Sequence, residues 1–215
     1  VEAALDSETG YPVLTGGESL SYLFDETTVD GKVSFTGVNN LFQRNEDGYY
    51  YYNSGQNFAS LDVDNTFNLY NTARSIGYAD RLLAQFLPFN TLSNNKAYGT
   101  STSDGTTYQY YTLNESSEDY WFGMTIDFNF QMPRNGLVEN PSTGKDEAMV
   151  FTFEGDDDVW VFLNGKLVLD MGGIHDNYEG SINFKTGDVT VAGKDQGNLG
   201  SLIGPDWQTA YKNYE

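Results

Sequence analysis

Phe151-Thr152-Phe153-Glu154-Gly155-Asp156-Asp157-Asp158-Val159-Trp160-Val161-Phe162-Leu163-Asn164-Gly165-Lys166-Leu167-Val168-Leu169-Asp170 sets three consecutive carboxylates between two apolar segments, then turns back through Asn-Gly into a third. The aromatic and β-branched residues on either side suit a pleated strand. Asn164-Gly165 is a two-residue type I′ turn signal, because both positions tolerate a positive φ, and it pairs Leu163 with Lys166 and Phe162 with Leu167. Apolar residues on both faces of 159–163 read as a central strand. Asp156, Asp157 and Asp158 then stand at its entrance, at the end away from the turn. Carboxylates held side by side out of water are costly, and no basic residue lies between Phe151 and Gly165. The partner expected is a hard cation, which oxygen ligands bind, so the three aspartates are candidate metal ligands.

Just downstream runs Met171-Gly172-Gly173-Ile174-His175-Asp176-Asn177. His175 is the single histidine; as a lone histidine it reads as a hydrogen-bonder behind the aspartates rather than on the ion. Asp176 and Asn177 carry oxygens that suit a site, though turn chemistry explains them equally well. The tail, 193–215, holds Trp207, Tyr211 and Tyr214 among glycines and reads either as a binding loop or as a connector to a final strand.

Upstream, residues 1–10 are polar and expected to be loosely held. Residues 19–24 suit a short strand or one helical turn. Residues 33–38 alternate with period two. Asp47-Gly48 before Tyr49-Tyr50-Tyr51-Tyr52 signals a hairpin, and residues 57–62 and 66–70 alternate around a turn. Asp62, Asp64 and Asn65 echo an EF-hand start, but Phe67 and Ala73 stand where that loop needs glycine and glutamate, so it is rejected. The best helix candidate lies within 71–87, where Asp80 can cap Arg81-Leu82-Leu83-Ala84-Gln85-Phe86 before Pro88. Residues 90–117 read as a long excursion with one strand at 108–111. Residues 120–130 read as a long apolar strand with one buried face.

Among 215 residues, 39% are apolar and 20% charged, with 16 Tyr and 14 Phe, a balance that favours an all-β fold with at most one or two short helices. Eleven basic against 31 acidic residues give a net charge of −20, which repels phosphate backbones and argues against nucleic acid. Cysteine is absent, so disulfides and thiolate metal sites are excluded. No apolar run reaches the length of a membrane helix, so membrane insertion is not expected. Without a linker or repeat, residues 11–215 read as one domain after a flexible 1–10.

The run Gly155-Asp156-Asp157-Asp158-Val159-Trp160-Val161-Phe162-Leu163-Asn164-Gly165-Lys166 through Asp170-Met171-Gly172-Gly173-Ile174-His175-Asp176 resembles the core of the PA14 family, in its fibro-slime branch of bacterial and slime-mould surface proteins. Tyr120-Trp121-Phe122-Gly123-Met124, Gln85-Phe86-Leu87-Pro88-Phe89-Asn90 and Asp47-Gly48-Tyr49-Tyr50-Tyr51 also resemble the Gram-positive versions, so the likeness spans roughly residues 11–191. The resemblance implies an antiparallel β-sandwich with long loop insertions, in which Asp156 and Asp157, joined by a cis peptide bond, chelate Ca²⁺ at a sugar-binding edge. Asp158 stands where many members have glycine. The late Asn-bearing loop that completes the site in lectin relatives has no match here, so the domain is expected to lack its final C-terminal strand.

The function expected is that of a Ca²⁺-dependent carbohydrate-binding adhesin module. It would bind a cell-surface glycan, with Trp207 or a tyrosine stacking on the sugar ring and His175, Asp176 and Asn177 around the ion. Such a module would form part of a larger multidomain protein on the extracellular, bacterial cell surface. The alternative is a structural stalk module whose Ca²⁺ only stabilises the fold. An enzyme is not expected: glycosidase chemistry needs two carboxylates flanking a bond, and among 31 acids such pairs arise by chance.

Overall fold

The computed structural model describes residues 1–26, 31–71, 86–90, 97–103, 106–111 and 121–215. The fold is all-β, built from antiparallel pairs, and among the described residues it has two one-turn α-helices, α1 (Ser21–Phe24) and α2 (Leu199–Leu202). The chain divides into two compact units, one made of Val1–Asp25 with Gly123–Glu215, the other of Glu26–Phe122.

The second unit is a set of hairpins: β1 (Gln43–Arg44) with β2 (Tyr50–Tyr51), β3 (Asn57–Leu61) with β4 (Phe67–Asn71), and β5 (Ala97–Ser103) with β6 (Thr106–Tyr111). The Asp47-Gly48 turn forms as its sequence requires, with Gly48 at φ 91° and Asn45 N–H donating to the Tyr49 carbonyl. Leu41, Ala59, Leu61 and Phe67 are buried at its core, and Phe86 and Phe89 both meet the Phe122 ring edge-on. The excursion expected to hold one strand holds a hairpin, since β6 pairs with β5. Residues 33–38 form no strand; Phe35 and Val38 reach the core as single anchors. Of the helix candidate, residues 72–85 lie outside the described residues.

The other unit carries the acid run. Its central sheet has the order β10 (Val150–Gly155), β13 (Tyr178–Asn183), β14 (Asp188–Val191), β15 (Lys194–Asn198), all antiparallel. Beside it lie the hairpin of β11 (Trp160–Leu163) and β12 (Lys166–Asp170), the pair β8 (Leu137–Asn140) and β9 (Lys145–Ala148), and the pair β7 (Phe130–Gln131) and β16 (Asn213–Tyr214). The Asn164-Gly165 turn has φ of 49° and 75°, and the pairing Leu163 with Lys166 and Phe162 with Leu167 holds, with a bulge between Val161 and Phe162. β11 is not a central strand, however: among the described residues it ladders with β12 alone. Its apolar faces are served by packing, Leu163, Val168 and Leu169 joining Ile182, Val189, Leu199, Trp207 and Tyr214 in one buried core.

Three further expectations are corrected. The N-terminal residues are not loose: Leu167 N–H donates to the Ala3 carbonyl at 2.9 Å and Leu5 N–H to that of Gly165 at 2.9 Å, so they extend the β12 edge. The tail forms β16 and sends Trp207 and Tyr214 into the core, with the Tyr214 ring stacked 5.5 Å from Phe130. Residues 121–129 form no ladder, and Trp121, Met124, Ile126 and Phe128 are exposed. Their alternation specifies a face that could be buried without specifying a strand to bury it.

Candidate functional site

The acid run is the loop leaving β10 at Gly155 and entering β11 at Trp160. Facing it is the loop of residues 171–177 between β12 and β13. Two backbone features bring them together. Asp170 pairs with Trp160, and Met171 N–H donates to the Val159 carbonyl at 2.9 Å, one step past the hairpin's end. On the other side Gly155 pairs with Tyr178.

Side chains then fasten the loops. The Asp158 carboxylate accepts the Gly173 N–H at 2.8 Å, a charge-assisted bond across the gap. Gly173 has φ 110°, which a side chain would resist. Gly172 is needed for a different reason: a Cβ there would lie 2.8 Å from Trp160 Nε1 and 3.1 Å from the Asp170 carboxylate. That indole N–H is buried and has no partner among the described residues, a cost of about 1–3 kcal/mol carried at the base of the loop.

His175 clamps its own loop. Nδ1 faces the Asp176 carbonyl at 2.9 Å and Nε2 the Met171 carbonyl at 2.8 Å, while the ring lies 4.1 Å from that of Tyr178. A carbonyl oxygen only accepts, so both bonds form together only when both ring nitrogens carry protons. The imidazolium is therefore the form this loop prefers. Its pKa is raised by the Asp176 and Met171 carbonyls first, against some desolvation, then by Asp158 and Asp156.

The aspartates are exposed at the loop surface. The Asp157 carboxyl is nonetheless pushed up, first by partial burial and then by the charges of Asp156 and Asp158, with His175 opposing. Three adjacent acids with one histidine opposite are short of positive charge. One expectation does not hold as stated. There is no cis peptide bond among the described residues, so Asp156 and Asp157 are joined in trans. Among the described residues, no group of three or more His, Asp or Glu side chains gathers around one point. Asp158 is spent on Gly173.

Of the other residues singled out, Asp176 and Asn177 sit on the facing loop, Asp176 giving its carbonyl to His175 and Asn177 its amide to Glu154 Oε1 at 3.4 Å. Trp207 is not brought to the site: it is 8% exposed, in the core, and offers no ring face for stacking there. Sequence reading missed Gly173 N–H, the Met171 carbonyl and Tyr178. The Gly172-Gly173 pair was the available signal.

Acidification is expected to stabilise this loop pair. A raised His175 pKa contributes stability that is full below the ordinary histidine value of 6.5 and is lost as pH rises through the folded value. Asp157, also raised, adds in the same direction as pH falls through its folded value toward its ordinary 3.8. Melting curves taken from mildly acidic to mildly alkaline pH should show a fall around and above neutrality that is absent in His175→Gln; equal falls would remove the clamp.

No family model matches the chain. Curated proteins similar to it include several from Dictyostelium discoideum, among them protein psiB, 52% identical over 42 residues (20% of this chain and 8% of psiB); protein psiH, 36% over 90 residues (42% and 10%); and protein psiO, 30% over 141 residues (64% and 17%). The chain thus spans less than a fifth of the length of these relatives. No solved structure matches it.

Proposed function

We propose that the chain is a calcium-dependent carbohydrate-binding module of a secreted, cell-surface protein, with the paired loops 155–158 and 171–177 as its site. The observation that supports this is the charge balance at Asp157, whose ionised form is disfavoured by burial and two neighbouring carboxylates. The donor chemistry fits a hard cation. Asp156 and Asp157 would hold it, with Asp158 retained on the Gly173 N–H. Bound calcium would supply open coordination positions for vicinal sugar hydroxyls. The chain's own part is positional: the Asp158 to Gly173 bond and the His175 clamp hold the facing loop, and exposed Ile174 offers an apolar contact at its tip.

Saturating Ca²⁺ is expected to raise the melting temperature, by about 2.7 kcal/mol of added stability at a hundredfold excess over Kd, and EDTA to abolish glycan-array binding. Asp157→Asn should lose the calcium shift, yet melt no lower than the parent without calcium, because the replaced charge was disfavoured. No calcium shift in the parent would sink the reading. The interior position of Trp207 favours a second reading, a structural module whose calcium only stabilises the fold. A calcium shift with a blank glycan array would select it.

A further inference from the structure

β16 stands between two strand lines. On one side it ladders antiparallel with β7, Asn213 facing Gln131 and Tyr214 facing Phe130. On the other it meets the β11 hairpin: Asn164 N–H donates to the Glu215 carbonyl at 2.8 Å, and Glu215 N–H to Asn164 Oδ1 at 2.9 Å. Past Glu215 the two lines are about 10 Å apart, twice the spacing of neighbouring strands, which leaves the width of one strand between them.

Both walls of this gap turn main-chain groups toward it. Met132 N–H donates to the Lys212 carbonyl, so the even-numbered residues of the β7 line face β16, and strand alternation carries that direction back to Ile126 and Met124. Residues 124–127 make no main-chain hydrogen bond among the described residues and run without a turn or bend. Across the gap the Val159 carbonyl is bonded on the β12 side, by Met171 N–H, so Trp160 and Phe162 face outward as Asn164 does. Among the described residues β11 ladders with β12 alone.

The side chains share that register. Met124 and Ile126, 42% and 43% exposed, lie on the face of Phe130, which packs against the buried core, as do Val159, Val161 and Leu163 on the opposite wall. A strand laid between them would bury every second side chain on that core. Its other side chains would meet acids: Asp127 on one wall, Glu215 at the near end and the run 156–158 at the far end. With a net charge of −20 on each, two copies of this chain repel, so charge favours a basic strand from elsewhere.

We propose that this gap accepts one β-strand from another polypeptide, a basic segment of about five residues with apolar side chains at alternate positions. It runs in the direction of β16, antiparallel to 124–127 and to β11, with its apolar side chains inward and lysine or arginine outward. It needs no calcium and does not rest on the carbohydrate reading.

The test is calorimetric titration of the full chain with a blocked peptide alternating lysine and valine, with amide hydrogen exchange to locate it. The peptide is expected to bind and to slow exchange at Ile126 and Phe162 together by at least about tenfold, leaving Val138 of β8 unchanged. The same residues arranged as a lysine block and a valine block, or glutamate in place of lysine, should bind at least about tenfold more weakly. Ile126→Pro removes one N–H from the wall and should weaken the peptide to a similar degree, as should Asp127→Lys. Ile126 makes no main-chain bond to lose, and melting curves identify either variant if it misfolds. No binding, equal binding of the block peptide, or protection on one wall only would each overturn the proposal. So would slow exchange at Ile126 before peptide is added, which would show the gap already filled by the chain itself. A dimer in sedimentation without peptide, lost in Ile126→Pro, would replace the basic strand with a second copy.

Discussion

Gly136→Ala is expected to cost about 3–5 kcal/mol and to lower the melting temperature of the chain by on the order of 10–20 °C. Gly136 is buried at φ +64°, and a Cβ built on it would stand 1.8 Å from the Phe184 carbonyl oxygen, 2.3 Å from its carbon and 2.6 Å from Lys185 N. All three atoms are backbone, so no rotamer change relieves the overlap. The surrounding chain has no slack, because Gly136 N–H donates to Pro133, the Gly136 carbonyl accepts from Met149 N–H, and the Met149 carbonyl accepts from Phe184 N–H. Moving any of these strands breaks a buried bond of the β10 edge. Gly144 supplies the control. It has the same φ of +64° but nothing within 4 Å of a built Cβ, so Gly144→Ala should cost only the conformational strain, about 1–2 kcal/mol. If the two variants melt alike, the steric account of Gly136 is wrong.

That contrast also shows what a sequence can convey. Asn135-Gly136, Asn164-Gly165 and the glycine at 144 look alike as turn signals. The local part, positive φ, was legible for Asn164-Gly165, where turn chemistry alone set the register of β11 on β12. Which glycine meets another segment's backbone depends on a contact 48 residues away and has no local signature. The same distinction separates the β1–β2 and β3–β4 hairpins, legible from the Asp47-Gly48 turn and from alternation around residues 63–65, from residues 121–129. There the alternation was equally clear and, among the described residues, no ladder forms. The N-terminal residues failed in the other direction: polar and short, they pair through backbone groups that every residue possesses.

The candidate site divides along the same line. Three adjacent aspartates between apolar segments were visible because carboxylates announce their chemistry. The clamp was not, since both ring nitrogens of His175 meet main-chain carbonyls, and Asp158 meets a main-chain N–H. Trp207 was misplaced because an aromatic residue in a glycine-rich tail reads as well for a ligand platform as for a core plug. Only its contact with the core, where its ring edge approaches Gly187, distinguishes the two.

Leu169→Ala tests how far the site depends on that core. Leu169 is 0% exposed on β12, one residue before Asp170, and its Cδ2 lies 3.2 Å from where a Cβ would stand on Gly180 of β13. Gly180 is thus the recess that lets the β11–β12 hairpin seat on the central sheet, Leu169 filling one side and Met171 the other. Truncation to alanine removes the transfer free energy of the side chain and leaves a cavity that the rigid β10–β13–β14 ladder closes poorly, for a loss of about 3 kcal/mol. The consequence reaches beyond stability. The hairpin carries Trp160 and Asp170 at its loop end, and Met171 supplies both the N–H that holds Val159 and the carbonyl that holds His175. Hydrogen exchange of Leu169→Ala should therefore show faster opening at Met171 and Gly173 than at Val189, on the far side of the sheet. If the acid loop binds calcium as proposed, the calcium shift should shrink along with the melting temperature. Val168→Ala, 3% exposed on the same strand, removes less volume and is expected to melt higher, at about half the loss. If Leu169→Ala lowered the melting temperature while exchange at Met171 and Gly173 stayed at the parent's rate, the hairpin's seat on the sheet would not be what positions the acid loop, and the loop's own bonds, Asp158 to Gly173 above all, would have to carry it alone.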